Sequence, residues 1–152
     1  SSIVLRLAAV AGVAVVALGT TALLRAPAPA APTITVYKSA SCGCCGKWIE
    51  HLRAAGFTVQ AFDTEDLVSV ATSMGVPFRL TSCHTARVGN YAIEGHVPAD
   101  LIKKLLAEHP ALAGLAVPGM VTGSPGMEGP GAQSYDVIAW NRDGKTTIYA
   151  RR

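Results

Sequence analysis

Apolar positions divide this chain into two unlike parts. From Leu7 to Leu24 no residue is charged, and Ala, Val, Leu and Gly make up almost the whole run. Beyond it, apolar residues recur with the periods of secondary structure. Ile34-Thr35-Val36-Tyr37 reads as a first strand. Trp48, Ile49 and Leu52 mark the apolar face of a helix over Lys47 to Ala55, with Gly56 as its stop. Phe57 to Phe62 is a second strand, and Thr64-Glu65-Asp66 opens a short helix carrying Leu67, Val70 and Met74 and ended by Gly75. Ala86 to Ile93 has strand character interrupted by Gly89-Asn90, a bulge or a tight turn. Pro98-Ala99-Asp100 starts the clearest helix, with Leu101, Ile102, Leu105 and Leu106 on one face, Lys103, Lys104 and Glu108 on the other, and His109-Pro110 at its end. Ala111 to Gln133 is rich in Gly and Pro and too long for an ordinary connection, which predicts a functional or unstructured loop. Asp136 to Trp140 and Thr146 to Ala150 flank Asn141-Arg142-Asp143-Gly144 as a hairpin.

This order of elements predicts an α/β, thioredoxin-like fold, a central mixed sheet with flanking helices. In that fold a C-x-x-C pair stands at the N-terminus of the first helix, where the helix dipole stabilises a thiolate. A cis-proline before the third strand faces the pair, and Pro118 is its candidate, a placement that would bring Met120 close to Cys42. Two departures stand out: an insertion carrying Cys83 and His84, and no helix after the final hairpin.

The leading apolar run lies between the length of a secretory signal core and that of a membrane span. Residues 1–25 are therefore expected to be a signal peptide or membrane anchor, with Ala28-Pro29-Ala30 as a small-x-small cleavage pattern. Residues 26–33 alternate Ala with Pro and read as an extended linker. Residues 34–152 form the working domain, expected in the periplasm. Dropping Arg6 and Arg25 from the 13 basic residues leaves 11 against 10 acidic ones. A nearly neutral domain without a basic run argues against nucleic acid or an anionic membrane as partner, so any membrane contact falls to the N-terminal segment.

Three of the four cysteines fall in Cys42-Gly43-Cys44-Cys45. Cys42 and Cys45 suit a redox dithiol, with Cys42 attacking and Cys45 resolving. They equally suit a disulfide that staples an exported domain. Cys44 changes the balance, because a third thiol invites scrambling in an oxidoreductase but is an asset to a metal site. Neighbouring thiolates are hard to place around one tetrahedral ion, whereas thiolates that bridge several ions tolerate crowding. Zinc prefers two separated ligand pairs, and the spacing matches no ferredoxin pattern. Cu(I), which favours thiolate and thioether, fits the inventory best, as a small multinuclear cluster.

Cys83 is the fourth thiol. On a strand, Cys83 and His84 would point to opposite faces, so Cys83 is preferred as a ligand over His84. Met120 and Met127 sit in repeated Pro-Gly-Met turns, poor packing elements but plausible soft ligands. His96 stands at an element end, where sites are commonly built, and joins them as an outer ligand. His51 reads as a surface residue, His109 as a helix-end residue, and Trp48 and Met74 as core.

The segments Cys-Gly-Cys-Cys-Gly-Lys-Trp (42–48), Ser-Cys-His-Thr-Ala (82–86), Glu-Gly-His-Val-Pro (94–98), Val-Pro-Gly-Met (117–120) and Gly-Ser-Pro-Gly-Met-Glu (123–128) together resemble the CopG-like family. The resemblance runs from Ile34 to the end of the chain. It implies an exported, thioredoxin-like copper binder associated with copper resistance, with copper ions and other periplasmic copper-resistance proteins as partners. It places the Cys-x-Cys-Cys thiolates and Cys83 at the centre. Storage, transfer and Cu(I)/Cu(II) redox activity stay open, as do the thiol-disulfide oxidoreductase using Cys42 and Cys45 and the non-catalytic stapled domain.

Overall fold

The computed structural model describes residues 31–152, so the leading apolar run and most of the Ala/Pro linker lie outside the described residues. The elements are β1 (Thr33–Lys38), α1 (Gly43–Ala54), β2 (Thr58–Asp63), α2 (Leu67–Ser73), a 3-10 turn (Phe78–Leu80), β3 (His84–Val88), β4 (Tyr91–Gly95), α3 (Ala99–Glu108), β5 (Gly114–Val117), β6 (Asp136–Trp140) and β7 (Thr146–Arg151). They form a mixed α/β fold around one seven-stranded sheet in the order β2-β1-β3-β4-β5-β6-β7. The β1/β2 and β4/β5 pairs are parallel, each joined through a helix, and the other neighbours are antiparallel. Among the described residues no helix is long and apolar enough to cross a membrane.

Apolar residues separate onto the two sheet faces. Trp48, Ile49 and Leu52 of α1 and Leu101, Ile102 and Leu105 of α3 pack with Ile34, Val36, Ile93, Leu115 and Val137 of the strands. Ala71 of α2, with Val76 and Leu80, packs with Ala92, Ala116 and Trp140 in a second, smaller cluster. These clusters anchor the ends of β1, β4 and α1, which carry the chemically distinctive residues.

Two local expectations are corrected, the start of α1 and the extent of the loop, and one open alternative is decided. α1 starts at Gly43 rather than Lys47, so Cys44 and Cys45 lie in its first turn and Cys42 is its N-cap. Gly89-Asn90 is the two-residue turn of a β3–β4 hairpin, with Val88 paired to Tyr91. β5 falls inside the stretch expected to be loop and shortens that loop to 118–135. Its Gly114-Leu115-Ala116-Val117 run is buried throughout, and a strand covered on both faces shows no alternation to read.

Candidate metal centre

A turn after β1 delivers the cysteines to the head of α1: the Cys42 N–H donates to the Ser39 carbonyl at 3.1 Å, and the Gly46 N–H to the Cys42 carbonyl at 3.3 Å. Cys42 and Cys45 are joined by a disulfide, so in this state only Cys44 and Cys83 are free thiols. This bridge is the one that either a redox dithiol or a stapled domain would use, and it leaves Cys44 and Cys83 unpaired. Cys44 Sγ lies 3.6 Å from Cys42 Sγ. Cys45 is fully buried, and its sulfur touches the Cys83 carbonyl oxygen at 3.6 Å. A disulfide sulfur carries no proton, so this is a packing contact and not a hydrogen bond.

Cys83 stands just before β3 and joins two groups. The sulfurs of Cys42, Cys44, Cys45 and Cys83 all lie within 4.8 Å of one another, and so do the Cys83 sulfur and one nitrogen each of His84 and His96. Cys83 Sγ is 3.3 Å from His84 Nδ1 and 3.2 Å from His96 Nε2. His84 is thus part of the centre, contrary to the expectation from strand alternation. Cys83 lies outside β3, and the backbone turns between the two residues, so their side chains converge.

Both imidazoles are neutral and ready to act as ligands. His96 Nδ1 lies 2.7 Å from the Pro125 carbonyl, which can only accept, so Nδ1 carries the hydrogen and Nε2 turns its lone pair to Cys83. Burial is the main cause that lowers the His96 pKa. His84 is fully buried, and burial first, then the neighbouring His96, brings its pKa down to about 3. Its Nε2 has no hydrogen-bond partner. Trp48 covers the His84 ring at a centroid distance of 4.3 Å, held by its own indole N–H on the Val97 carbonyl at 2.9 Å. Burial, and then the adjacent Cys44 thiol, push Cys83 up to about 11, so it keeps its proton at neutral pH until a cation displaces it.

The loop after β5 closes the other side. Gly126 has φ +85°, and a Cβ there would lie 2.7 Å from Trp48 N and 2.9 Å from the Cys44 carbonyl oxygen. Only glycine lets this loop rest against the first turn of α1. Met127 lines an open cleft of about 450 Å³ together with Cys44, Lys47 and Glu128. Met120 lies 53% exposed on the surface. Pro118 follows β5, and among the described residues no peptide bond is cis, so it does not fill the expected cis-proline role. His51 is not a free surface residue: its Nε2 accepts the Ala99 N–H at 3.1 Å and caps α3.

A family model described as "Protein of unknown function, DUF411" matches residues 80–127, the segment holding Cys83, His84, His96 and both loop methionines. The chain is similar to two solved structures of "Copper resistance protein copG". Form 2 is 42% identical with a TM-score of 0.77, the match covering 80% of this chain and 98% of that one. Form 1 is 43% identical with a TM-score of 0.75, covering 79% of this chain and 96% of that one. No curated protein matches the chain.

Proposed function

Because this chain belongs to the CopG family of copper resistance proteins, we propose that it binds copper as Cu(I) at the shared Cys/His centre, in a thiolate-bridged cluster serving copper resistance. The observation that carries this reading is the common place of Cys83 in both groups, which brings four sulfurs and two imidazole nitrogens to one location. Bridging thiolates hold several soft ions without needing separate tetrahedral sites, and neutral imidazoles complete the coordination. Cys42, Cys44, Cys45 and Cys83 are the central ligands, and His84 and His96 bind through nitrogen. Met127, in the cleft beside Cys44, and the exposed Met120 serve as labile outer ligands for arriving or leaving copper. The apolar segment before the domain exports the protein to the periplasm or anchors it there, where other copper-resistance proteins exchange copper with it.

Loading has a redox condition. The Cys42–Cys45 disulfide withholds two of the four thiolates, and opening it takes two electrons and two protons. Two Cu(I) ions oxidised to Cu(II) supply two electrons, so a Cu(I)/Cu(II) activity of this centre would balance against the dithiol. The same disulfide, set at the head of a helix, also favours the second reading, a thiol-disulfide oxidoreductase.

Anaerobic titration of the reduced chain with Cu(I) separates the two. The copper reading expects more than one tightly held ion per chain and a lower count in Cys44→Ser. The oxidoreductase expects disulfide turnover that depends on Cys42 and survives Cys44→Ser. Absence of tight copper binding removes the first reading.

A further inference from the structure

Glu94 is 1% exposed and is not among the groups that converge on the centre. It lies on β4 directly across from Thr85 on β3. Its Oε2 accepts the Thr85 hydroxyl at 2.7 Å, and its Oε1 accepts the Ser82 backbone N–H at 2.6 Å. The two donors stand on either side of Cys83 and His84. The β1–β3 ladder reaches only to His84 and the β3–β4 ladder only to Thr85. Ser82 and Cys83 precede both, so the carboxylate takes the place of a strand neighbour for Ser82.

A cross-strand Glu–Thr pair alone would be an ordinary sheet contact. Burying a carboxylate is costly, however, and an apolar side chain would fill a core position without that cost. What the carboxylate adds is a pair of acceptors that bracket the two ligands. Ser82 extends the bracing, since its hydroxyl donates to the Gly119 carbonyl at 3.0 Å, beside Met120. Gly95 permits the close approach: its φ is +67°, and a Cβ there would lie 2.9 Å from Ser82 Oγ.

We propose that Glu94 is a positioning residue for this centre, its carboxylate bracing the segment from Ser82 to Thr85 and so fixing the Cys83 thiol and the His84 ring toward His96 and Cys44. The proposal rests on the copper reading only for the identity of the bound ion. Partners that orient metal ligands from behind typically matter by about 10- to 100-fold in affinity.

The test begins on metal-free protein with the disulfide intact. Cys44→Ser then leaves Cys83 as the single free thiol, and its rate of reaction with an aromatic disulfide reagent, native relative to denatured, reports how firmly the segment is held. Glu94→Ala in this background should raise the native rate about tenfold or more, because both hydrogen bonds to the carboxylate are lost. Glu94→Gln should stay near the parent rate, because its carbonyl still accepts from Ser82 N–H and its amide can donate to the Thr85 hydroxyl. Thr85→Val, which removes one arm without touching Glu94, should fall between them and replaces Glu94→Ala if that variant does not fold.

With Cys44 restored and the protein reduced, Glu94→Ala should lower Cu(I) affinity about tenfold or more and shift the copper–thiolate absorption, while Glu94→Gln keeps both. Parent-like thiol rates in both Glu94→Ala and Thr85→Val overturn the proposal. So does equal loss in Glu94→Ala and Glu94→Gln. A parent chain that binds no copper overturns the copper reading instead, while the thiol rates still decide the role of Glu94.

Discussion

Gly126→Ala tests how the loop over the centre is seated. The added Cβ meets Trp48 N at 2.7 Å, the Cys44 carbonyl oxygen at 2.9 Å and Trp48 Cα at 3.2 Å. All three are backbone atoms of α1, so no rotamer change relieves the overlap and the loop must lift. A left-handed backbone costs a non-glycine residue roughly 1–2 kcal/mol. Lifting the loop also breaks the hydrogen bond from His96 Nδ1 to the Pro125 carbonyl, one residue away, worth about 1 kcal/mol net. Together these amount to about 2–3 kcal/mol, or a fall in Tm of roughly 10 °C for a domain of this size. Thermal unfolding of the metal-free protein measures the loss, and nitrogen chemical shifts of His96 report whether Nδ1 alone still carries the hydrogen. Gly46→Ala is the control, because a Cβ there meets nothing within 4 Å in the same motif, and it should stabilise α1 by about 0.5–1 kcal/mol. If Gly126→Ala unfolds at the parent temperature with the Nδ1–H tautomer intact, the loop is not held as described.

Three further outcomes follow from the buried groups. Burial raises the Glu94 carboxyl to about 7 against 4.5 for an exposed group. The folded state therefore holds a proton that the unfolded state releases, and this contribution to stability, present below 4.5, is lost as pH rises to 7. Glu94→Gln should accordingly gain up to ~3 kcal/mol on the parent between pH 4.5 and 7.5 in urea unfolding, and a flat difference contradicts the assignment. His84 has the opposite sign: its folded pKa near 3 makes the domain lose stability as pH falls below 6.5, so His84→Phe should gain ~2 kcal/mol on the parent at pH 5 while losing copper affinity. Disulfide-intact protein should hold fewer copper ions than reduced protein, because Cys42 and Cys45 are then withdrawn; equal counts in a paired titration would place the copper elsewhere.

The parts of this chain that could be read in advance are those whose pattern survives half-burial. β1, α3 and the β6–β7 hairpin each set apolar against polar positions, and each lies where its pattern puts it. The sequence pattern places the start of α1 at Lys47 because Gly43 and Gly46 disguise its first turn, where tertiary packing overrides propensity. β5 lacks a polar face altogether and sits between Pro110 and Pro118, so its composition resembles the loop around it. The sulfur ligands are conspicuous by type and spacing alone, and His96 by its place at the end of β4. Alternation points away from His84 because it assumes that both residues belong to the strand, and β3 begins only at His84 itself. The Cys42–Cys45 pair is legible in the C-x-x-C spacing, and the turn at the head of α1 brings the two sulfurs together. Nothing in the linear order announces that the Glu94 carboxylate reaches residues on both sides of the Cys83-His84 pair.

In the copper reading, cysteine sulfurs and histidine nitrogens hold Cu(I) together at the head of α1. Copper X-ray absorption on the reduced, Cu(I)-loaded chain tests it most directly. The expected spectrum has nearest neighbours dominated by sulfur, a copper–copper scattering path from bridging thiolates, and imidazole scattering that weakens in His96→Ala. A shell of oxygen and nitrogen alone, unchanged by Cys44→Ser and His96→Ala, would contradict it.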